Sequence, residues 1–145
     1  MSDDVIVEIT PPDLLRRMEK YPDKLREELE STTLKALYHV QGSVPEYPPA
    51  DPDSSYIRTG TLGRTIGLGA RPDIFEVKTM GARGFQGMFG TRLEYARYVI
   101  GTREQARIHK GRWWTMKTVR DKAEPGVKRL YSQMCARLAD WLTKR

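Results

Sequence analysis

A chain of 145 residues with a net charge of +6 is the size of one domain, and its 39% hydrophobic and 30% charged residues exclude a chain disordered throughout. No run approaches the roughly 18 apolar residues of a membrane span, and the opening Met1 to Val5 lacks the basic and apolar regions of a secretory signal, so a soluble intracellular protein is expected. One cysteine, Cys135, excludes an internal disulfide, and His39 and His109, 70 positions apart, give no zinc-type spacing, so neither metal nor cofactor is expected.

Thr10-Pro11-Pro12-Asp13 reads as a helix entrance, with threonine as cap and proline in the first turn, opening a short helix over about 11 to 20. Pro22 interrupts it and opens a longer one whose inner stripe is Leu25, Leu29, Thr32 or Thr33, Ala36 and Val40. That helix is expected to stop at Gln41-Gly42, with the glycine in the left-handed conformation. Residues 43 to 56, with four prolines, read as an extended loop tipped by Tyr47 and Tyr56.

Nine of the twelve glycines lie between 60 and 101, threading β-prone runs at 65 to 68, 74 to 80 and 85 to 89. The middle run alternates apolar and polar residues, as a half-buried antiparallel strand does. The glycines from 81 to 90 also suit a flexible hairpin tip, so 80 to 90 is expected to be a second mobile loop. Leu93 to Val99 reads as a short helix or turn carrying Tyr95, Tyr98 and Val99 to the sheet, and 101 to 112 as a polar loop. A helix is expected from Trp113, broken at Glu124-Pro125-Gly126. A last one over about 125 to 143 has Val127, Leu130, Tyr131, Met134, Leu138, Trp141 and Leu142 on one face.

There is no internal repeat. The expectation is a single α+β domain over 1–145: a small antiparallel sheet of three or four strands, about 60–101, packed by long N-terminal and C-terminal helices, the latter at 113–143, with long mobile loops.

The chain has no Gly-x-Ser-x-Gly elbow, no phosphate loop and no dinucleotide glycine fingerprint. His39 and His109 as an acid and base pair would require matched geometry that a helix position and a loop position do not supply. Cys135, on the apolar side of the last helix, reads as a small core residue. Charge is unevenly placed: residues 1 to 30 carry nine acids and five bases, and the remainder of the chain is net +10. Arg103, Arg107, Lys110, Arg112, Lys117, Arg120, Lys122, Lys128 and Arg129 crowd into 101 to 131 against three acids. Two readings follow, a basic face for nucleic acid or an acidic element of one subunit meeting a basic surface of the next. Adjacent Trp113 and Trp114 point in different directions on a helix, so one of them is a candidate for a partner surface.

The segment Ile57-Arg58-Thr59-Gly60-Thr61-Leu62-Gly63-Arg64-Thr65-Ile66, followed by Tyr95-Ala96-Arg97-Tyr98 and Gly101-Thr102, resembles the minor tail or tail-completion family of long-tailed bacteriophages. Members of that head-tail joining family carry Thr-Gly-x-Leu-x-x-Ser-Ile, then Tyr-Ala-x-Tyr and a glycine. The resemblance spans roughly residues 20 to 143. Thr65 stands where the family has serine, and Val99 and Ile100 stand where an acidic residue precedes the glycine. The resemblance implies a non-enzymatic virion protein that closes into a homo-oligomeric ring. Its partners would be head connector or adaptor and tail-tube or tail-terminator proteins, with non-specific DNA contact and no membrane; it would wait in the host cytoplasm before assembly. Tyr47, Tyr56, Phe85, Phe89, Arg112 and Trp113 are the interface residues expected from loop position and side-chain type. A basic nucleic-acid-binding protein is the alternative.

Overall fold

The computed structural model describes residues 3–6, 12–49, 61–68, 71–79 and 84–144. Its order is β1 (Asp3–Ile6), α1 (Pro12–Met18), α2 (Pro22–Gly42), α3 (Thr61–Thr65), β2 (Ile74–Thr79), β3 (Phe85–Gly90), α4 (Ala96–Val99), a 3-10 turn (Arg107–His109) and α5 (Met116–Thr143). The chain is α+β, with a small antiparallel sheet in the order β1-β3-β2 and helices toward both ends of the sequence.

The sheet has two unlike faces because β3 alternates. Phe85, Gly87 and Phe89 are buried, whereas Gln86 and Met88 are half-buried. Their cross-strand partners on β2, Val77 opposite Gly87 and Phe75 opposite Phe89, share the inner face. That face receives α2. At Gly87 an added Cβ would stand 3.1 Å from Leu37 and 3.2 Å from Thr33, so the missing side chain sets how closely α2 lies on the sheet. Residues 85–90, expected in part as a mobile loop, are thus the central strand, since Phe85 and Phe89 gain burial only when this segment is extended and paired on both sides.

α2 runs antiparallel to α5. Arg137 reaches Glu28 at 3.0 Å, the Tyr131 hydroxyl donates to Thr33 at 2.8 Å, and the Trp114 indole donates to the Glu46 carbonyl at 3.1 Å. Two apolar clusters fill the space. One joins Leu37, Val40, Leu62, Ile66, Phe89, Trp113, Val119 and Ala123; the other joins Leu14, Met18, Leu29, Phe85, Met134 and Leu138. Tyr21 and Lys24 close the second cluster over Trp141, ring edge to ring face at 4.9 Å and ammonium over indole at 5.7 Å.

Four local expectations are corrected. The run 65 to 68 is not a strand: Leu62 and Ile66, one helical turn apart, are both buried, and their joint burial outweighs the β preference of Thr65 and Ile66. Gly42 is not a left-handed stop, since α2 ends on Ser43 at φ −90° with its hydroxyl donating to the His39 carbonyl at 2.9 Å. The last two expected helices are one, with Pro125 inside α5. Proline removes the amide that would serve the Asp121 carbonyl, on a side of the helix where both residues are exposed. Val119 and Ala123 before the proline and Met134 and Leu138 after it are buried along the same helix and hold it together. Gly126 beside it is a point of close approach: a Cβ there would meet the His39 ring, 2.5 Å from Cε1 and 2.7 Å from Cδ2. Finally, Tyr95 and Tyr98 do not face the sheet. Ala96, Val99 and Ile100 take the inner side of α4 and leave both tyrosines exposed.

The Thr10 cap and Tyr56 lie outside the described residues, as do 50–56 of the proline-rich segment and 57–60 after it. Residues 43 to 49 have no regular structure, yet Val44 is buried and Tyr47 packs on Trp113 with ring centres 5.0 Å apart.

Candidate interaction surface

The loop joining α4 to α5 carries four cations of the basic cluster, Arg103, Arg107, Lys110 and Arg112, and its backbone is tied down from within. Gln105 spans it, its amide donating to the Val99 carbonyl at 2.8 Å and to the Trp113 carbonyl at 3.1 Å. The Ala106 amide donates to Tyr98 at 2.6 Å and the Met116 amide to Ile100 at 2.8 Å, pinning both ends. His109 is buried with its ring edge-on to Trp113, and the Trp113 amide returns to the His109 carbonyl at 2.8 Å. Gly111 supplies the turn with φ +76°, a region that disfavours side chains.

Turning His109 and Gln105 inward sends Arg103, Arg107, Ile108, Lys110 and Arg112 outward. Ile108 is 71% exposed, the most exposed large apolar residue in the described chain. Tyr98, 45% exposed, borders the loop with the Arg97 guanidinium 4.9 Å over its ring, and Arg97 pairs with Glu104 at 3.4 Å. On α5, Lys117 and Arg120 pair with Asp121 at 2.8 and 3.5 Å, and Lys128 with Glu124 at 3.1 Å. The Lys117 hydrogen bond is the main cause holding the Asp121 carboxyl below its ordinary pKa. Arg103, Arg107, Lys110, Lys122 and Arg129 have no carboxylate partner among the described residues.

No family model, curated protein or solved structure matches this chain. The residues must therefore speak for themselves, including those that carry the phage resemblance. Leu62, Ile66, Ala96 and Gly101 serve the interior. The Gly63 amide donates to the Tyr47 hydroxyl, and a Cβ at Gly63 would enter the Tyr47 ring. The Thr65 hydroxyl donates to the Leu62 carbonyl at 2.9 Å and accepts from Thr91 at 2.8 Å. Leu62, Ile66, Ala96, Val99 and Ile100 share one apolar cluster with Trp113, the residue that ends the basic loop.

Of the expected interface residues, Arg112 is exposed on the loop. Trp113 is 8% exposed and clasped by Tyr47, His109 and Trp114, so it anchors the loop to the core rather than presenting itself to a partner. Phe85 and Phe89 are core residues of β3 rather than loop residues, whereas Tyr47 lies in the irregular segment as expected and is half-buried there. Sequence reasoning missed Ile108 as a surface residue, although an isoleucine in this polar run has no apolar neighbour at helical spacing.

His39 packs at Gly126 on the α2–α5 seam, and His109 lies under the basic loop against Trp113. Burial pushes the Cys135 thiol above its ordinary pKa, the reverse of what an activated nucleophile requires. Among the described residues no three His, Cys, Asp or Glu side chains come together to hold a metal ion, and no helix is long and apolar enough to cross a membrane.

Proposed function

We propose that this protein is a structural component of a tailed-phage particle, a non-enzymatic ring-forming subunit that joins tail to head connector within the virion. The observation that supports this reading best is the fixed loop presenting Ile108 among Arg103, Arg107 and Lys110. An exposed aliphatic side chain on a backbone held by Gln105 and His109 suits a preformed docking element, which binds without a large ordering cost. The resemblance of 57–66, 95–98 and 101–102 to tail-completion proteins supplies the setting. Light scattering across protein concentration, alone and with connector or tail-tube protein, tests it. A defined ring, spontaneous or induced by either partner, upholds the joining role; a chain that ignores both partners refutes it.

The second reading, nucleic-acid binding, is favoured by the five cations that have no carboxylate partner among the described residues. Backbone phosphates would release counterions from this surface, so retention on DNA would fall steeply with salt.

A further inference from the structure

α2 carries a stripe that stays exposed, although Tyr38 near its end rests against the Phe75 ring of β2 with centres 5.0 Å apart. At 100° per residue, Asp23, Glu27, Glu30, Leu34 and Tyr38 fall on one side of the helix, and all five are exposed, Leu34 at 42% and Tyr38 at 61%. The acids of the stripe stand beside one exposed base, Arg26, and outnumber it. α5 takes Glu28 through Arg137, whereas Asp23, Glu27 and Glu30 have no basic partner among the described residues. The stripe is therefore acidic over its first half and apolar over its second. The loop after α4 has the opposite charge around its own apolar tip, with Arg103, Arg107 and Lys110 around Ile108.

The acidic half of the stripe lies beyond the loop's reach within one subunit. The loop enters α5 beside Glu46, past the C-terminal end of α2, because Trp114 is bonded there. Glu27 lies 15 residues before Gly42, roughly 22 Å along the axis at 1.5 Å per residue, beyond the reach of an arginine side chain. A surface whose complement sits elsewhere on the same molecule makes a head-to-tail contact, which closes into a ring when the rotation permits.

We infer that the α2 stripe of one copy receives the Arg103–Lys110 loop of the next, with Ile108 on Leu34 and Tyr38 and with Arg103 and Arg107 on Glu27 and Glu30. This deepens the ring-forming reading above and rests on it for its setting, but its own occupant is a second copy of this chain.

Charge reversal on the full-length chain tests it, because every altered side chain is exposed and the fold is spared. The variants are Glu27→Arg with Glu30→Arg, Arg103→Glu with Arg107→Glu, and all four together. Sedimentation at low salt should show the unaltered chain associating, and each pair of reversals weakening association about tenfold or more. An equimolar mixture of the two paired variants should restore it, because each then offers what the other needs, and the fourfold variant should associate with itself. Association that survives either pair, or is not restored by the mixture, overturns the docking while leaving a ring formed through other surfaces intact. A chain monomeric at every concentration overturns it as well, and the connector and tail-tube additions then decide the joining role separately. If the arginine pair abolishes retention on DNA yet leaves self-association unchanged, the loop serves nucleic acid and the inference is wrong.

Discussion

Replacing Gly126 by alanine sets two effects of opposite sign against each other. Alanine is favoured over glycine in a helix interior by about 1 kcal/mol, and on that ground alone Gly126→Ala stabilises α5. The seam with α2 opposes this, because the new Cβ would lie 2.5 Å from His39 Cε1 and 2.7 Å from Cδ2, where carbon atoms prefer roughly 3.5 to 4 Å. Relief requires His39 to turn out or the two helices to part by about 1 Å, and overpacking of this kind costs about 1 to 3 kcal/mol. The expected net result is a loss of up to about 2 kcal/mol in urea unfolding, combining those two ranges. The same substitution in a His39→Ala background meets no ring and should stabilise by about 1 kcal/mol, the full helix preference. The difference between backgrounds, a coupling of about 1 to 3 kcal/mol, is the quantity to measure. If Gly126→Ala stabilises the unaltered chain as much as it does the His39→Ala variant, the close approach plays no part in holding the seam.

Trp113→Ala should cost about 3 to 5 kcal/mol in thermal or urea unfolding, because the indole is core to Tyr47, His109 and Trp114; an unchanged midpoint would return it to the surface. Gln105→Ala removes both donors that span the loop, with an expected loss of about 1 to 3 kcal/mol and faster amide hydrogen exchange confined to 101–115; uniform exchange rates would show that the loop is held otherwise. Tyr131 has its hydroxyl pushed up to about 12 by burial, with the Thr33 hydrogen bond pulling the other way. Because the folded value lies above the unfolded value of about 10, the folded state holds its proton longer, so this group's stabilisation is complete below pH 10 and is lost as pH rises toward 12. Tyr131→Phe should flatten the decline in stability across that window, and an identical alkaline profile would refute the assignment.

The long helices were legible in the sequence because their signals are local. Pro22 starts α2 and the stripe Leu29, Thr33, Ala36 and Val40 marks its buried side. Where local signals misled, longer-range packing had prevailed. Pro125-Gly126 reads as a break to any rule that sees only neighbours, yet α5 continues because residues on either side of it are buried, and the glycine answers to His39, 87 positions earlier. Thr65 to Leu68 has strand chemistry, but Leu62 and Ile66 are drawn into one cluster by a helical turn. The candidate surface was half legible. Its cations were evident from their number, whereas the inward turn of Trp113 depends on Tyr47 and His109, contacts that no spacing rule announces.

The antiparallel seam also governs how the chain comes to be folded. Its ties join residues 68, 98 and 109 positions apart, at Glu46 with Trp114, Thr33 with Tyr131 and Glu28 with Arg137. Few of them can form until nearly all of α5 has been synthesised, and contacts so distant in sequence make for slow folding. During translation β2 and β3 can cover only part of the apolar side of α2, and the rest waits for the last helix. A nascent chain stalled before residue 130 would expose Leu29, Phe85 and Met18 together, making it a substrate for chaperones and proteases rather than a folded precursor.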